Sequence, residues 1–169
     1  MYIIKALIIS FIAHLGQKDK ANKPYILHPL TVAYHSKGYK AKVVALLHDV
    51  VEDSDWSLKD LEKYFDNDIV VAVDCITKNR KYSYDEYLER VKSNHLARIV
   101  KLSDLMHNSN LSRLKNITKE DIKSVLLTET TKDPELKLDN YAYRSGTYNK
   151  INGDEKRLLN NEFLDPEKK

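Results

Sequence analysis

The apolar residues of the chain recur mostly every three or four positions, and almost no segment alternates between apolar and polar residues as a strand would. The first helix is predicted over residues 2–15, and a lysine-rich loop over residues 16–27 follows it. Six large apolar residues of this helix are expected to face the core: Ile3, Ile4, Leu7, Ile8, Phe11 and Ile12. The pattern as a whole predicts an all-α fold.

Residues that start or end helices divide the next part of the chain. Pro29 suits the first position of a helix, where its missing N–H costs nothing. Gly38 can close that helix in the left-handed conformation. The following helix is predicted over residues 39–53, and its wholly apolar run over residues 43–47 indicates that it is buried.

Two capping boxes mark later helix starts. In each of them a serine is followed three residues later by an acid, so that side chains and backbone amides can bond reciprocally. They are Ser57 with Asp60 and Ser83 with Glu86. Further helices are predicted over residues 69–76, over residues 95–108, and from a start at Thr118 and Asp121.

Composition is ordinary for one soluble domain. The chain has 169 residues, 42% of them hydrophobic, and a mean hydropathy of −0.54. Its net charge of +3 is too small to indicate nucleic-acid binding. We expect a compact single-domain helical bundle over residues 1–129. A C-terminal extension over residues 130–169 is expected to pack on it and to be poorly ordered at its end.

The cysteine content and the N-terminal segment favour a cytoplasmic protein. Cys75 is the single cysteine, so no internal disulfide can form, as is usual in a reducing compartment. The apolar start is interrupted by Lys5, lacks a small-residue cleavage site and is too short to cross a bilayer. We therefore expect neither an export signal nor a membrane partner.

Two histidines and two aspartates are candidates for a metal centre. His28 and His48 supply imidazole nitrogens, and Asp49 and Asp104 supply carboxylate oxygens. A set of two nitrogens and two oxygens favours Mn, Fe or a similar divalent ion over Ca or Mg. These four side chains could therefore hold one divalent metal ion.

An acidic pair follows the central histidine and aspartate. If residues 39–53 form one continuous helix, His48 and Glu52 lie four apart on one face, and so do Asp49 and Asp53. Glu52 and Asp53 would then lie one turn beyond the metal ligands. That position suits two carboxylates that act on a water molecule beside the metal.

A purely structural interpretation competes with the metal site. A His-Asp dipeptide is common on protein surfaces, and His28 alone fits equally well as a hydrogen-bonded core histidine. However, the apolar run that ends at residue 47 is followed by four ionisable groups within six residues. Because buried charges without partners or a metal are costly, this arrangement favours the metal site.

Several motifs together resemble the Rel/SpoT-type alarmone hydrolases, which belong to the HD superfamily of metal-dependent phosphohydrolases. The resemblance covers about residues 3–127. The motifs that carry it, in order, are Ala13-His14-Leu15-Gly16-Gln17 with Lys20, Pro24-Tyr25-Ile26-Leu27-His28-Pro29, Ala45-Leu46-Leu47-His48-Asp49-Val50-Val51-Glu52-Asp53, Thr77-Lys78, Val100-Lys101-Leu102-Ser103-Asp104 and His107-Asn108. Because the long forms of the family carry further domains, the chain resembles its small, stand-alone hydrolases.

The resemblance implies a compact HD-type helical fold with a single Mn²⁺, with Fe, Co and Zn left open as alternatives. Four residues match the family's metal ligands: His28, His48, Asp49 and Asp104. Glu52 and Asp53 match its catalytic acidic pair, which positions or activates the attacking water. The expected class is therefore a metal-dependent nucleotide hydrolase.

The resemblance also implies a nucleotide substrate. The family removes pyrophosphate from the 3′ position of guanosine tetra- or pentaphosphate and leaves GDP or GTP. Asn108 matches a residue that contacts the ribose, and Lys20 matches a basic loop residue near the substrate. Lys18 and Lys101 are further candidates, because lysines at the pocket mouth would attract a polyanion. A homo-oligomer is compatible with these expectations.

Two positions depart from the family pattern and leave base specificity open. Asp19 stands where the family usually places an arginine that packs on the guanine base, and Leu111 lies near a position that often holds a base-contacting threonine. An acid cannot supply cation–π stacking. Hydrolysis of an adenosine alarmone, NADPH or a nucleoside monophosphate therefore stays an alternative, as does a non-enzymatic nucleotide-binding regulatory module.

Overall fold

The computed structural model describes residues 1–108 and residue 110, in which helices joined by loops occur and no β-strand does. The all-α prediction is therefore confirmed for this part of the chain. The helices are α1 (Tyr2–Ala13), α2 (Leu27–His35), α3 (Tyr39–Leu47), α4 (Val50–Asp53), α5 (Leu58–Glu62), α6 (Asn67–Ile76), α7 (Tyr84–Ser93) and α8 (His95–Asn108). Leu111, the helix predicted from Thr118 and the extension over residues 130–169 lie outside the described residues.

Helix α3 is the centre of the core. Five consecutive residues of it, residues 43–47, are buried, as the apolar run predicts. It packs against α1, α2, α6 and α8. Because α3 is surrounded in this way, the residues that follow Leu47 begin inside the domain and not on its surface. None of the described helices combines the length and apolar character needed to cross a bilayer.

Both predicted capping boxes are present. The Ser57 hydroxyl accepts a hydrogen bond from the Asp60 amide, and the Asp60 carboxylate accepts one from the Ser57 amide. Ser83 and Glu86 make the same reciprocal pair at the start of α7. Each box satisfies backbone N–H groups that the first turn of a helix leaves unpaired.

The predicted burial of the first helix is wrong. Ile4, Ile8, Phe11 and Ile12 are each more than half exposed, and the residues that α1 buries include Ile9 and its small neighbours Ala6 and Ser10. The physical reason is that apolar residues surround almost the whole of α1, whereas only one of its faces can contact α3. Periodicity alone could not indicate which face that is.

The predicted continuous helix over residues 39–53 is also wrong, since it breaks between α3 and α4. His48 and Asp49 form the break, and Asp49 has a φ of −100° and a ψ of −7°. The His48 Nδ1 atom lies 2.7 Å from the carbonyl oxygen of Ala45, which the Asp49 amide would use in an uninterrupted helix. A side chain therefore takes over a backbone hydrogen-bond acceptor at the point where the site begins.

Candidate metal centre

Four predicted ligand side chains meet between α2, the α3–α4 break and α8. His28 lies in the first turn of α2, His48 and Asp49 lie at the break, and Asp104 lies on α8. The ligand atoms of His28, His48 and Asp104, all buried, lie within 4.8 Å of one another. The Asp49 Oδ2 atom is 3.4 Å from His28 Nε2 and 3.0 Å from His48 Nε2.

The hydrogen bonds of the two histidines direct their Nε2 atoms toward the centre. The His48 Nδ1–H donates to the Ala45 carbonyl oxygen, which leaves Nε2 with a lone pair. The His28 Nε2 atom lies 3.2 Å from that nitrogen and 3.3 Å from Asp104 Oδ1. Two nitrogens and two carboxylate oxygens thus converge on one small volume, and this donor set fits a divalent metal ion.

The electrostatics of the cluster favour a positive charge at this point. Burial opposes protonation of His28, but the carboxylates of Asp104 and Asp49 outweigh it and raise its pKa to about 9. Burial likewise opposes ionisation of Asp49, yet His48 and His28 hold its pKa well below the usual value. The carboxylates therefore stay ionised inside the protein. A bound cation would compensate the negative charge of these carboxylates in the same way as a protonated histidine.

Three further side chains hold the two carboxylates in place. The Lys101 Nζ atom is 3.1 Å from Asp104 Oδ2, and the Asn108 amide donates to Asp104 Oδ1 at 2.6 Å. The Tyr25 hydroxyl donates to Asp49 Oδ2 at 2.8 Å. Burial and the charge of Asp49 raise the pKa of Tyr25, so the phenol stays a neutral donor. Each carboxylate is oriented by a group outside the cluster itself.

The predicted acidic pair lies on α4, directly after the break. The Glu52 carboxylate accepts a hydrogen bond from the Lys78 amide at 3.0 Å. The carbonyl oxygen of Asp53 accepts one from the Gln17 side chain at 2.8 Å. Partial burial and the charge of Asp49 raise the pKa of the Asp53 carboxyl. Both residues nevertheless keep a large solvent-accessible fraction, which leaves them accessible to water and to a ligand.

The loop between α1 and α2 has an internal structure that depends on Asp19. Its carboxylate accepts hydrogen bonds from the amides of Ala21 at 2.9 Å and Lys23 at 2.8 Å. Asn22, with a φ of 61°, occupies the left-handed region that asparagine tolerates better than most residues. Asp19 therefore organises the loop backbone. Lys18 and Lys20 are exposed on this loop, and their contact with substrate stays a prediction.

Sequence reasoning assigned no role to Tyr25 or His107, although both contact the predicted ligands. His107 Nδ1 lies 2.7 Å from His28 Nδ1. Helical spacing offered a signal for His107, because it follows Asp104 by three residues and so shares its face of α8. The Tyr25 contact joins residues 24 positions apart, with α2 and α3 between them, and no periodicity predicts it.

Curated relatives match about two thirds of this chain. A guanosine-3′,5′-bis(diphosphate) 3′-pyrophosphohydrolase of Borreliella burgdorferi is 36% identical over 121 residues, which is 63% of this chain and 18% of that protein. A GTP pyrophosphokinase of Streptomyces coelicolor is 33% identical over 124 residues, covering 66% of this chain and 15% of that protein. This chain thus matches less than a fifth of the length of these relatives. No family model matches it.

The fold has a solved counterpart. The structure of a metazoan ortholog of SpoT, described as hydrolysing ppGpp and acting in starvation responses, has a TM-score of 0.66 and 22% sequence identity. The match covers 89% of this chain and 97% of that one. The helical fold of this chain is thus similar to the fold of that structure. The sequence matches and this fold together make the chain similar to Rel/SpoT-type hydrolases.

Proposed function

We propose that this chain is a metal-dependent (p)ppGpp 3′-pyrophosphohydrolase that releases pyrophosphate and GDP or GTP. One observation carries the proposal: two imidazole nitrogens and two carboxylate oxygens converge at the α3–α4 break, with an acidic pair directly after it. The name of the relative from Borreliella burgdorferi supports the substrate class.

The proposed ligands of one Mn²⁺ are the four converging side chains, His28, His48, Asp49 and Asp104. When bound, the ion would act as a Lewis acid on the phosphoryl oxygens and neutralise the charge that develops on them. Around it, Lys101 and Tyr25 hold the two carboxylates by contacts of 3.1 Å and 2.8 Å. These contacts limit the rotation of the two carboxylates.

Glu52 and Asp53 supply the proton chemistry. A water oxygen bonds to the phosphorus attached to the ribose 3′ oxygen, the bond from that phosphorus to the 3′ oxygen breaks, and the 3′ oxygen takes up a proton. A carboxylate that is exposed, anchored and adjacent to the cluster suits the role of the base that accepts the proton of the water. The Lys78 amide anchors Glu52 in this position.

The remaining predicted residues would act on the nucleotide. Lys18 and Lys20 on the exposed loop would attract the polyanionic substrate, and Asn108 would lie near the ribose. Asn108 also donates to Asp104, so it connects the proposed ribose contact to the metal ligands. Lys101 pairs with Asp104, and its positive charge would offset the repulsion between that carboxylate and the substrate phosphates.

A second candidate function is hydrolysis of another nucleotide, and the hydrogen bonds of Asp19 favour it. The Asp19 carboxylate bonds to the loop amides at the position where the resembling family has a base-stacking arginine. Guanine therefore lacks that partner here, and an adenosine alarmone, NADPH or a nucleoside monophosphate could serve as the substrate.

Product analysis tests both candidates. The protein would be incubated with Mn²⁺ and a panel of guanosine and adenosine 3′-pyrophosphorylated nucleotides, NADPH and monophosphates, with His48→Ala as the control. Pyrophosphate and GDP from ppGpp, absent with His48→Ala, are the expected result. Turnover of a different nucleotide alone would support the second candidate. Metal binding without any turnover would contradict both and favour a regulatory module.

A further inference from the structure

The histidine at position 107 makes a close contact with one of the proposed metal ligands. Its Nδ1 atom lies 2.7 Å from His28 Nδ1, and the two ring centroids are 4.8 Å apart. This distance between nitrogens is that of a hydrogen bond, so one nitrogen carries the proton and the other accepts it. The contact joins α8 to the first turn of α2, on the side of the His28 ring opposite to the cluster.

The surroundings of His28 decide which nitrogen carries that proton. Its Nε2 atom faces Asp104 Oδ1 at 3.3 Å, Asp49 Oδ2 at 3.4 Å and His48 Nε2 at 3.2 Å. To bind a cation there, Nε2 must offer a lone pair, so the proton of the neutral ring must be on Nδ1. The His107 Nδ1 atom is then the acceptor, and the proton of His107 is on its own Nε2.

We propose that His107 is a positioning residue that fixes the orientation and the tautomer of His28 for metal binding. The inference rests on the metal site of the proposed function and adds to it a residue with no role there. His48 obtains the same support from the Ala45 carbonyl, a backbone group that substitution cannot remove. For His28 the acceptor is the side chain of His107, which a substitution can remove.

Metal affinity without any nucleotide tests the inference. Mn²⁺ binding would be measured by titration calorimetry for the wild type, His107→Leu and His107→Gln. Loss of the acceptor in His107→Leu is expected to raise the Kd for Mn²⁺ about 10- to 100-fold. Glutamine offers a carbonyl oxygen as acceptor and is expected to recover most of the affinity. His95→Leu, an exposed histidine at the start of the same helix, is the matched control.

An unchanged Kd in His107→Leu would overturn the inference. So would equal weakening in the leucine and glutamine variants, because it would show that general packing and not the acceptor matters. Melting temperatures in chelator, expected to be similar for all variants, separate loss of folding from loss of metal affinity.

A measurement on the wild type does not depend on how the variants fold. ¹⁵N NMR of the histidine-labelled protein with Zn²⁺ should show His28 protonated on Nδ1 and His107 protonated on Nε2. The opposite tautomers would overturn the inference. A wild type that binds no metal would overturn it together with the proposed metal site. Binding that depends on His107 without hydrolysis of ppGpp would overturn the proposed activity alone.

Discussion

At the scale of single residues, the hydrogen bonds within the protein fix the position of each side chain of the candidate site. The Glu52 carboxylate accepts the Lys78 amide, and this bond places the acid beside the break that holds His48 and Asp49. Glutamine at position 52 could accept the same bond through its amide oxygen but could not take a proton from water. A glutamine at position 52 therefore keeps the position of the side chain while removing its ability to accept a proton.

We expect Glu52→Gln to lower kcat for the identified nucleotide by about 100-fold or more, because proton acceptance is lost. The Kd for Mn²⁺ and the melting temperature should stay close to those of the wild type. Steady-state kinetics with calorimetry would measure both. Glu62→Gln, which changes an acid at the end of α5, is the control. Activity equal to that of the wild type would remove Glu52 from the mechanism.

The sequence allowed much of the residue-level site to be predicted. His28, His48, Asp49 and Asp104 were selected for their chemistry, and the structure brings them together; their role as ligands stays a prediction. The contacts of Tyr25 and Asp19 were not predicted. They depend on the path of the loop over residues 16–26, which no local pattern determines.

At the scale of helices, features that depend on a few neighbouring residues were predicted better than features that depend on packing. The capping boxes of α5 and α7 are bonds within four residues, and both are present. The face that α1 buries depends on where α3 lies, and here the prediction was wrong. The α3–α4 break was also missed, because a His48 side chain competes there with the backbone for the Ala45 carbonyl.

Two adjacent isoleucines in α1 test this difference in burial. Ile9 is 6% exposed and Ile8 is 54% exposed. Ile9→Ala leaves a cavity in the core and is expected to lower the free energy of unfolding by about 2–5 kcal/mol. Ile8→Ala should change it by no more than about 0.5 kcal/mol. Urea denaturation of both variants would measure the two effects. An equally large loss in Ile8→Ala would show that the outer face of α1 is buried in solution.

At the scale of the whole molecule, the candidate site ties α2, α3, α4 and α8 together. Its donors come from positions 28, 48, 49 and 104, and their side chains are buried or nearly so. Since the unfolded chain cannot hold these atoms at the observed distances, a bound ion would stabilise the folded state by mass action.

We therefore expect Mn²⁺ to raise the melting temperature and a chelator to lower it again. At a free metal concentration of 100 times Kd the stabilisation would be about 2.7 kcal/mol. Asp49→Ala should remove this difference, whereas Asp55→Ala, at an exposed acid nearby, should keep it. Scanning calorimetry with and without chelator would measure the shift. A melting temperature insensitive to metal in the wild type would contradict the metal site.

The long separation between the first and last of the four donors has a consequence for how the protein is made. While the chain emerges from a ribosome, His28, His48 and Asp49 become available long before Asp104, and α8 must dock before the fourth donor is in place. Metal incorporation should therefore follow synthesis of the helical domain and not accompany it. A truncated translation product that ends before residue 104 would lack the fourth donor. Added metal could not complete the four-donor site in such a product.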